Sequence, residues 1–199
     1  RGQARMVYHC RIRSHMALSY QEIIDKYYPP GTSRRVILMR HCSQVADLAL
    51  EIACKKCLRL PPEDIREAAM LHDIGIFLTS AVDIGCDGDE PYIMHGVLGA
   101  ELLRKEGVSE QYARVAERHT GAGITAADIR QQGLPLPIGD YVPESTLERL
   151  VCYADKFYSK GGDMKRKPLD RVIRSMERFS PDTLERFMDM HKEFSISDG

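Results

Sequence analysis

Ionisable side chains on the apolar faces of successive helices constrain this chain more than any other feature of its sequence. Apolar residues recur at i, i+3, i+4 and i+7 in segment after segment, without sustained apolar/polar alternation, which is the pattern of amphipathic helices around a shared interior. Val45, Leu48, Ala49 and Ile52 mark one stripe, and His41 lies on it four residues before Val45. Ile65, Ala68 and Ala69 mark the next, continued by His72 with Asp73 beside it. His95 leads Leu98, Gly99, Leu102 and Leu103; Tyr112, Val115 and Ala116 point the same way as His119; Leu147, Val151 and Ala154 share a face that continues to Asp155. A single histidine so placed is usually a core residue satisfied by a backbone carbonyl. Five coincidences, two involving carboxylates, are harder to dismiss, because buried charges are normally paired or coordinate a metal.

Local punctuation supports an all-α reading. Ser19 and Glu22 have capping-box spacing, and Pro29-Pro30-Gly31 stops the helix they start. Thr32 or Ser33 can cap a second helix reaching about Cys57, and Pro61-Pro62-Glu63-Asp64 opens a third that ends near Asp73. Further helices are expected at 93–105, 110–119, 146–160, 168–179 and 181–193. A polar loop is expected from Thr79 to about Pro91, and the Gly/Pro-rich stretch between Gly121 and Glu144 suits a lid or binding loop.

Four imidazoles and two carboxylates without a thiolate form a ligand set for one or two divalent or transition-metal ions. Fe is the first choice, with Mn, Co, Ni or Zn as alternatives, at a site with open positions.

His41, then His72-Asp73, then Asp155 resembles the H…HD…D signature of the HD-domain metal-dependent phosphohydrolases, with Leu71-His72-Asp73-Ile74-Gly75 as the HDIG form. His95 in Met94-His95-Gly96 and His119 in Arg118-His119-Thr120-Gly121 resemble the two additional histidines of dinuclear members, and Tyr153-Ala154-Asp155-Lys156 is similar to the ending of small stand-alone HDIG proteins. The combination also resembles the bacterial hydrolases of diadenosine tetraphosphate. The resemblance implies an all-α HD bundle of seven to eight helices with the metal site in its core. It implies that His41, His72, Asp73 and Asp155 hold one ion, and that Asp73 bridges to a second completed by His95 and His119. A hydroxide between the ions would be the nucleophile, with His72 and Asp73 at the centre of catalysis.

The expected substrate is a small phosphorylated molecule, a nucleotide for preference. Lys156 is the first candidate to hold a phosphate, with Lys160 and Lys165 to Lys167 nearby, and Thr120 and Gly121 could meet the substrate through hydroxyl and backbone N–H. Ile74-Gly75-Ile76-Phe77 lacks the acidic residues that guanosine tetra- and pentaphosphate hydrolases carry after the HD pair. No Gly-Tyr-Pro follows His119, as it would in cyclic-di-GMP hydrolases. Two other classes fit the same ligands: a mixed-valence di-iron oxygenase of the HD type, and a non-catalytic nucleotide sensor.

Composition narrows the partners. Lys plus Arg (28) nearly cancels Asp plus Glu (29), which argues against a nucleic-acid binder, and no apolar run is long enough to span a bilayer. Six irregularly spaced Cys suggest a reduced, cytoplasmic protein, and Cys54-Lys55-Lys56-Cys57 has no second pair to make a zinc site. Residues 1–15 carry four Arg and no period, so they read as a leader introduced for expression, and 16–199 as a single domain. Its C-terminal stripes, Leu169, Val172, Ile173, Met176 and Leu184, Phe187, Met188, pack on the core or on a second copy in a homodimer.

Overall fold

The computed structural model describes residues 18–196, so the expected leader at 1–15 lies outside the described residues. Nine α-helices make up most of them: α1 (Tyr20–Tyr27), α2 (Ser33–Lys55), α3 (Pro62–Leu71), α4 (His95–Lys105), α5 (Glu110–Arg118), α6 (Ala126–Gln132), α7 (Thr146–Asp155), α8 (Leu169–Glu177) and α9 (Pro181–Phe194). Among the described residues the one sheet is a two-residue antiparallel pairing of β1 (Ser80–Ala81) with β2 (Cys86–Asp87). The fold is an all-α bundle. It has one helix more than the seven to eight expected.

The helices begin where local chemistry can satisfy their free N–H groups. At α1 the Ser19 hydroxyl accepts from the Glu22 N–H while the Glu22 carboxylate accepts from the Ser19 N–H at 2.8 Å. At α7 the Ser145 hydroxyl accepts from the Glu148 N–H. Helix α3 starts with Pro62 in its first turn, followed by Glu63 and Asp64 against the positive end of the dipole. Thr32 precedes α2 without a side-chain cap, because its hydroxyl donates to the Pro29 carbonyl at 2.8 Å.

Two apolar clusters meet along α2, α3 and α5. In one, Val45, Leu48, Ala49 and Ile52 of α2 pack with α3, α7 and α9. In the other, Leu38 and Cys42 of the same helix pack with Ile23 and Ile24 of α1, Met70 and Leu71 of α3, and Leu103 of α4. The C-terminal stripes are used within the chain: Val172, Met176, Phe187, Met190 and Phe194 all join the first cluster.

The stretch from Gly121 to Glu144 is not an open loop. It contains α6, started by a Thr125–Asp128 capping box, and Ile124, Ile129 and Leu136 pack on Val97 of α4. The Arg186 guanidinium of α9 donates to the carbonyls of Ala122 and Gly123 and to the Asp128 carboxylate. This segment is a fixed wall beside the site.

Candidate metal centre

The turn after α3 carries His72 and Asp73 and is anchored from below. The buried Tyr28 hydroxyl donates to the Ile74 carbonyl at 2.8 Å and accepts from the Phe77 N–H at 3.3 Å. Close approach of α4 depends on two glycines. A Cβ on Gly75 would stand 2.2 Å from the His95 carbonyl oxygen and 2.5 Å from the Gly99 nitrogen, so only a residue without one fits there. The small Gly96 likewise lets α4 approach the Ala116 carbonyl of α5, which brings His95 to His119.

Five elements thereby deliver six side chains to one buried point. His41, His72, Asp73 and Asp155 form one group with the spacing of a metal site, and Asp73, His95 and His119 form a second. Asp73 turns Oδ2 toward the Nε2 atoms of His41 and His72, each at 3.1 Å, and Oδ1 toward those of His95 (3.5 Å) and His119 (3.3 Å). Asp155 Oδ1 lies 2.9 Å from His41 Nε2 and 3.5 Å from His72 Nε2. The six residues singled out by helical face are brought together here.

The donor set fits a cation. His72, His95 and His119 each donate Nδ1–H to the carbonyl three residues back, at 2.6, 2.6 and 2.8 Å. A carbonyl can only accept, so in the neutral ring Nε2 is left as a bare acceptor pointing inward. The Nε2 atoms of His95 and His119 face each other at 3.0 Å. Two lone pairs at that distance repel unless a positive centre sits between them. Oδ1 of Asp73, both ring nitrogens of His41 and Nε2 of His72 are buried without a hydrogen-bond partner.

The electrostatics of the chain alone divide the imidazoles, with two favouring the neutral ring and His72 the charged one. Burial and the neighbouring His119 push His95 down to about 3, and burial lowers His119. Burial would lower His72 too, but the Asp73 carboxylate outweighs it and holds the imidazolium well above the usual range. Burial opposes ionising Asp73 and Asp155, yet His72 with Lys160, and Lys156, hold the two carboxyls well below their ordinary value.

Two lysines act at the rim. Lys156 is buried: its ammonium sits 2.7 Å from Asp155 Oδ2 and donates to the His119 carbonyl at 2.9 Å, so it fixes both ligand elements before any phosphate is present. Lys160, in the loop beyond α7, places its ammonium 2.7 Å from Asp73 Oδ2. Sequence reasoning placed Lys160 near the site without a role, at the end of a helix expected to run from 146 to 160; α7 stops at Asp155, so Lys160 stands in the loop beyond it. Sequence reasoning missed Tyr92, whose carbonyl accepts from His95 Nδ1 and whose ring stacks on that imidazole at 4.7 Å. Thr120 and Gly121 sit on the wall of a hollow of about 160 Å³ with Ile93, Ile124, Leu134 and Phe179.

The model of the HD domain matches residues 38–159, from α2 to just beyond α7, which includes all six of these residues. The chain belongs to the HD-domain family. A tRNA (cytidine(56)-2′-O)-methyltransferase of Picrophilus torridus is 31% identical over 81% of this chain, which spans 38% of that relative's length. An uncharacterised protein of Methanocaldococcus jannaschii is 35% identical over 71% of this chain and 76% of its own. Among solved structures, the HD domain of the L. monocytogenes phosphodiesterase PgpH superposes with a TM-score of 0.54 at 18% identity, covering 90% of this chain and 89% of that one, a likeness of fold. Among the described residues of this HD domain, no helix is long and apolar enough to cross a membrane.

Proposed function

We propose that this HD domain is a metal-dependent phosphohydrolase that cleaves a phosphoester or phosphoanhydride of a nucleotide-like small molecule. Asp73 carries the reading: one buried carboxylate turns one oxygen to His41 and His72 and the other to His95 and His119, as a ligand shared by two ions would. Held by these six residues, such ions would activate water as the nucleophile and neutralise charge on phosphoryl oxygens.

The remaining work falls to the chain's own residues. Asp73 and Asp155 are held ionised, and burial keeps His95 and His119 neutral with their lone pairs free. Lys156 locks Asp155 to the end of α5, where it orients a ligand instead of gripping substrate. Lys160, whose ammonium stands over Asp73 and lines the mouth of the centre, is the cation offered to a phosphate oxygen. A mouth of about 290 Å³, lined by Tyr92, Asp155, Lys160, Lys167 and Phe179 among others, leads to the centre. The 160 Å³ hollow shares Gly121 and Phe179 with this mouth and is mostly apolar, with Asp128 and Gln132 as hydrogen-bonding edges. That combination suits a nucleobase.

The test is phosphate release from a panel of mononucleotides, nucleoside triphosphates, dinucleoside polyphosphates, cyclic nucleotides and sugar phosphates. The protein is stripped with chelator and reloaded with Fe, Mn, Co or Zn. Losing several kcal/mol of charge stabilisation at phosphorus amounts to on the order of a thousandfold in rate. Asp73→Ala is therefore expected to abolish detectable turnover and to lower bound metal. Turnover that survives this substitution would overturn the site assignment. Oxygen uptake by the iron-loaded protein without phosphate release would favour the oxygenase class.

A further inference from the structure

The mouth of the metal centre continues into a second hollow, of about 380 Å³, which plays no part in holding metal or base. Its lining is Ser159, Lys167, Arg171, Arg174, Ser175 and Arg178, with no carboxylate and no apolar side chain. Ser159, Lys167 and Ser175 also line the mouth that contains Asp155 and Lys160, so the two hollows share a wall.

The row is built by helical spacing. Arg171, Arg174 and Arg178 fall at i, i+3 and i+7 on and just past α8, a line about 10 Å long. The opposite face is occupied in packing, since Val172 and Met176 are core and Leu169 and Ile173 lean on it. Arg174 has one ion pair, with Asp170, and both side chains are 62% exposed, so it contributes little to stability and is easily exchanged. The Arg171 backbone N–H donates to the Pro168 carbonyl at 3.0 Å, but neither the Arg171 nor the Arg178 guanidinium has a hydrogen bond or ion pair among the described residues. Lys167 joins this row to the metal centre: burial pulls its pKa down, Asp155 pulls it up, and Lys156, Arg171 and Lys160 pull it down again. Four cations lining one concavity, with two hydroxyls beside them, repel one another until an anion arrives, and guanidinium forks match phosphate oxygens in pairs.

We propose that this basic hollow seats a phosphate group of the substrate other than the one attacked, so that the preferred substrates carry an oligophosphate chain. A small anion is favoured over a nucleic-acid strand because the row ends within about 10 Å, Asp170 and Glu177 flank it on α8, and the chain as a whole carries net charge −1. The proposal rests on the hydrolase reading for the bond that breaks, but seating of the anion is measurable without metal or turnover.

The experiment uses the whole chain, stripped of metal, titrated calorimetrically with inorganic tripolyphosphate and with orthophosphate. Wild type is compared with the triple variant Arg171→Gln, Arg174→Gln, Arg178→Gln, whose exposed positions leave the core untouched. Wild type is expected to bind tripolyphosphate at least about tenfold tighter than orthophosphate, and the variant to lose on the order of tenfold or more of that affinity. With metal restored, the variant's KM for a nucleoside triphosphate rises while that for the monophosphate does not follow. Equal binding of tripolyphosphate by variant and wild type, equal binding of the two anions by wild type, or stronger competition by a single-stranded RNA oligonucleotide each overturns the proposal. Arginine-dependent tripolyphosphate binding with no turnover on any substrate would support the seat while removing the hydrolase reading.

Discussion

His95 and His119 meet Nε2 to Nε2 because each has already given its Nδ1 hydrogen to a carbonyl one turn back. The cost of that arrangement is readable in pH. The folded-state pKa of His95 is depressed from 6.5 to about 3, chiefly by burial. Between those values the unfolded chain takes up a proton that the folded chain refuses. Its contribution to stability is full above 6.5 and is lost as pH falls toward about 3, with a limiting slope of about 1.4 kcal/mol per pH unit. His119 is shifted in the same direction. His72 is shifted the other way, so it is protonated in both states below 6.5 and does not contribute to this slope. Asp73 and Asp155 begin to matter only below the ordinary carboxylate value of 3.8. Chelator-treated protein is therefore expected to lose melting temperature from pH 6.5 down to pH 4.5 more steeply than the His95→Gln variant. Parallel melting curves across that range would show that His95 is not held neutral. The six residues of the centre were legible as a set, since one imidazole on an apolar stripe reads as a satisfied core residue and only five such coincidences together are anomalous. The commitment of Lys156 was not: a lysine after the last ligand reads as a free cation until the fold brings the His119 carbonyl beside it.

Elements meet here through glycine as much as through apolar side chains. The short 3-10 turn Ile74–Leu78 crosses α4 with Gly75 against the His95 carbonyl and Gly99. The atoms a Gly75 Cβ would strike are backbone, which cannot rotate away, so Gly75→Ala must push α4 outward and carry His95 with it. Overpacking of this kind costs about 1–3 kcal/mol. The expected outcome is a lowered melting temperature together with a fall in bound metal toward one ion per chain, because His95 belongs only to the Asp73–His95–His119 group. Metal analysis that finds two ions in the variant, as in wild type, would remove the positioning role of this contact. Helix starts were legible where a cap had room to declare itself, as at Ser19 and Ser145. The seven-residue α6 was not, because it is shorter than two full helical periods and lies between Gly/Pro-rich flanks that read as loop. Its own capping box, Thr125 with Asp128, was the signal that could have found it.

Across the whole molecule the centre acts as a clasp. Its six side chains come from α2, the turn after α3, the start of α4, the end of α5 and the end of α7, so both apolar clusters touch elements that meet at Asp73. The all-α class followed from periodicity alone, but the convergence of four helix ends on the middle of α2 did not, since separations of 31 residues from His41 to His72 and 36 from His119 to Asp155 carry no directional information. An ion bound at such a point stabilises the folded state by mass action, because the unfolded chain scatters the ligands. At a thousandfold excess over the dissociation constant the gain is about 4 kcal/mol, and a domain of this size gains about 2–4 °C per kcal/mol, giving a rise on the order of 10 °C. Melting of chelator-treated protein against samples reloaded with Mn or Fe measures it. The rise should follow the logarithm of metal concentration and should disappear in Asp73→Ala, which breaks both groups at once. An equal rise in that variant would mean that the ions stabilise the chain from somewhere other than this centre.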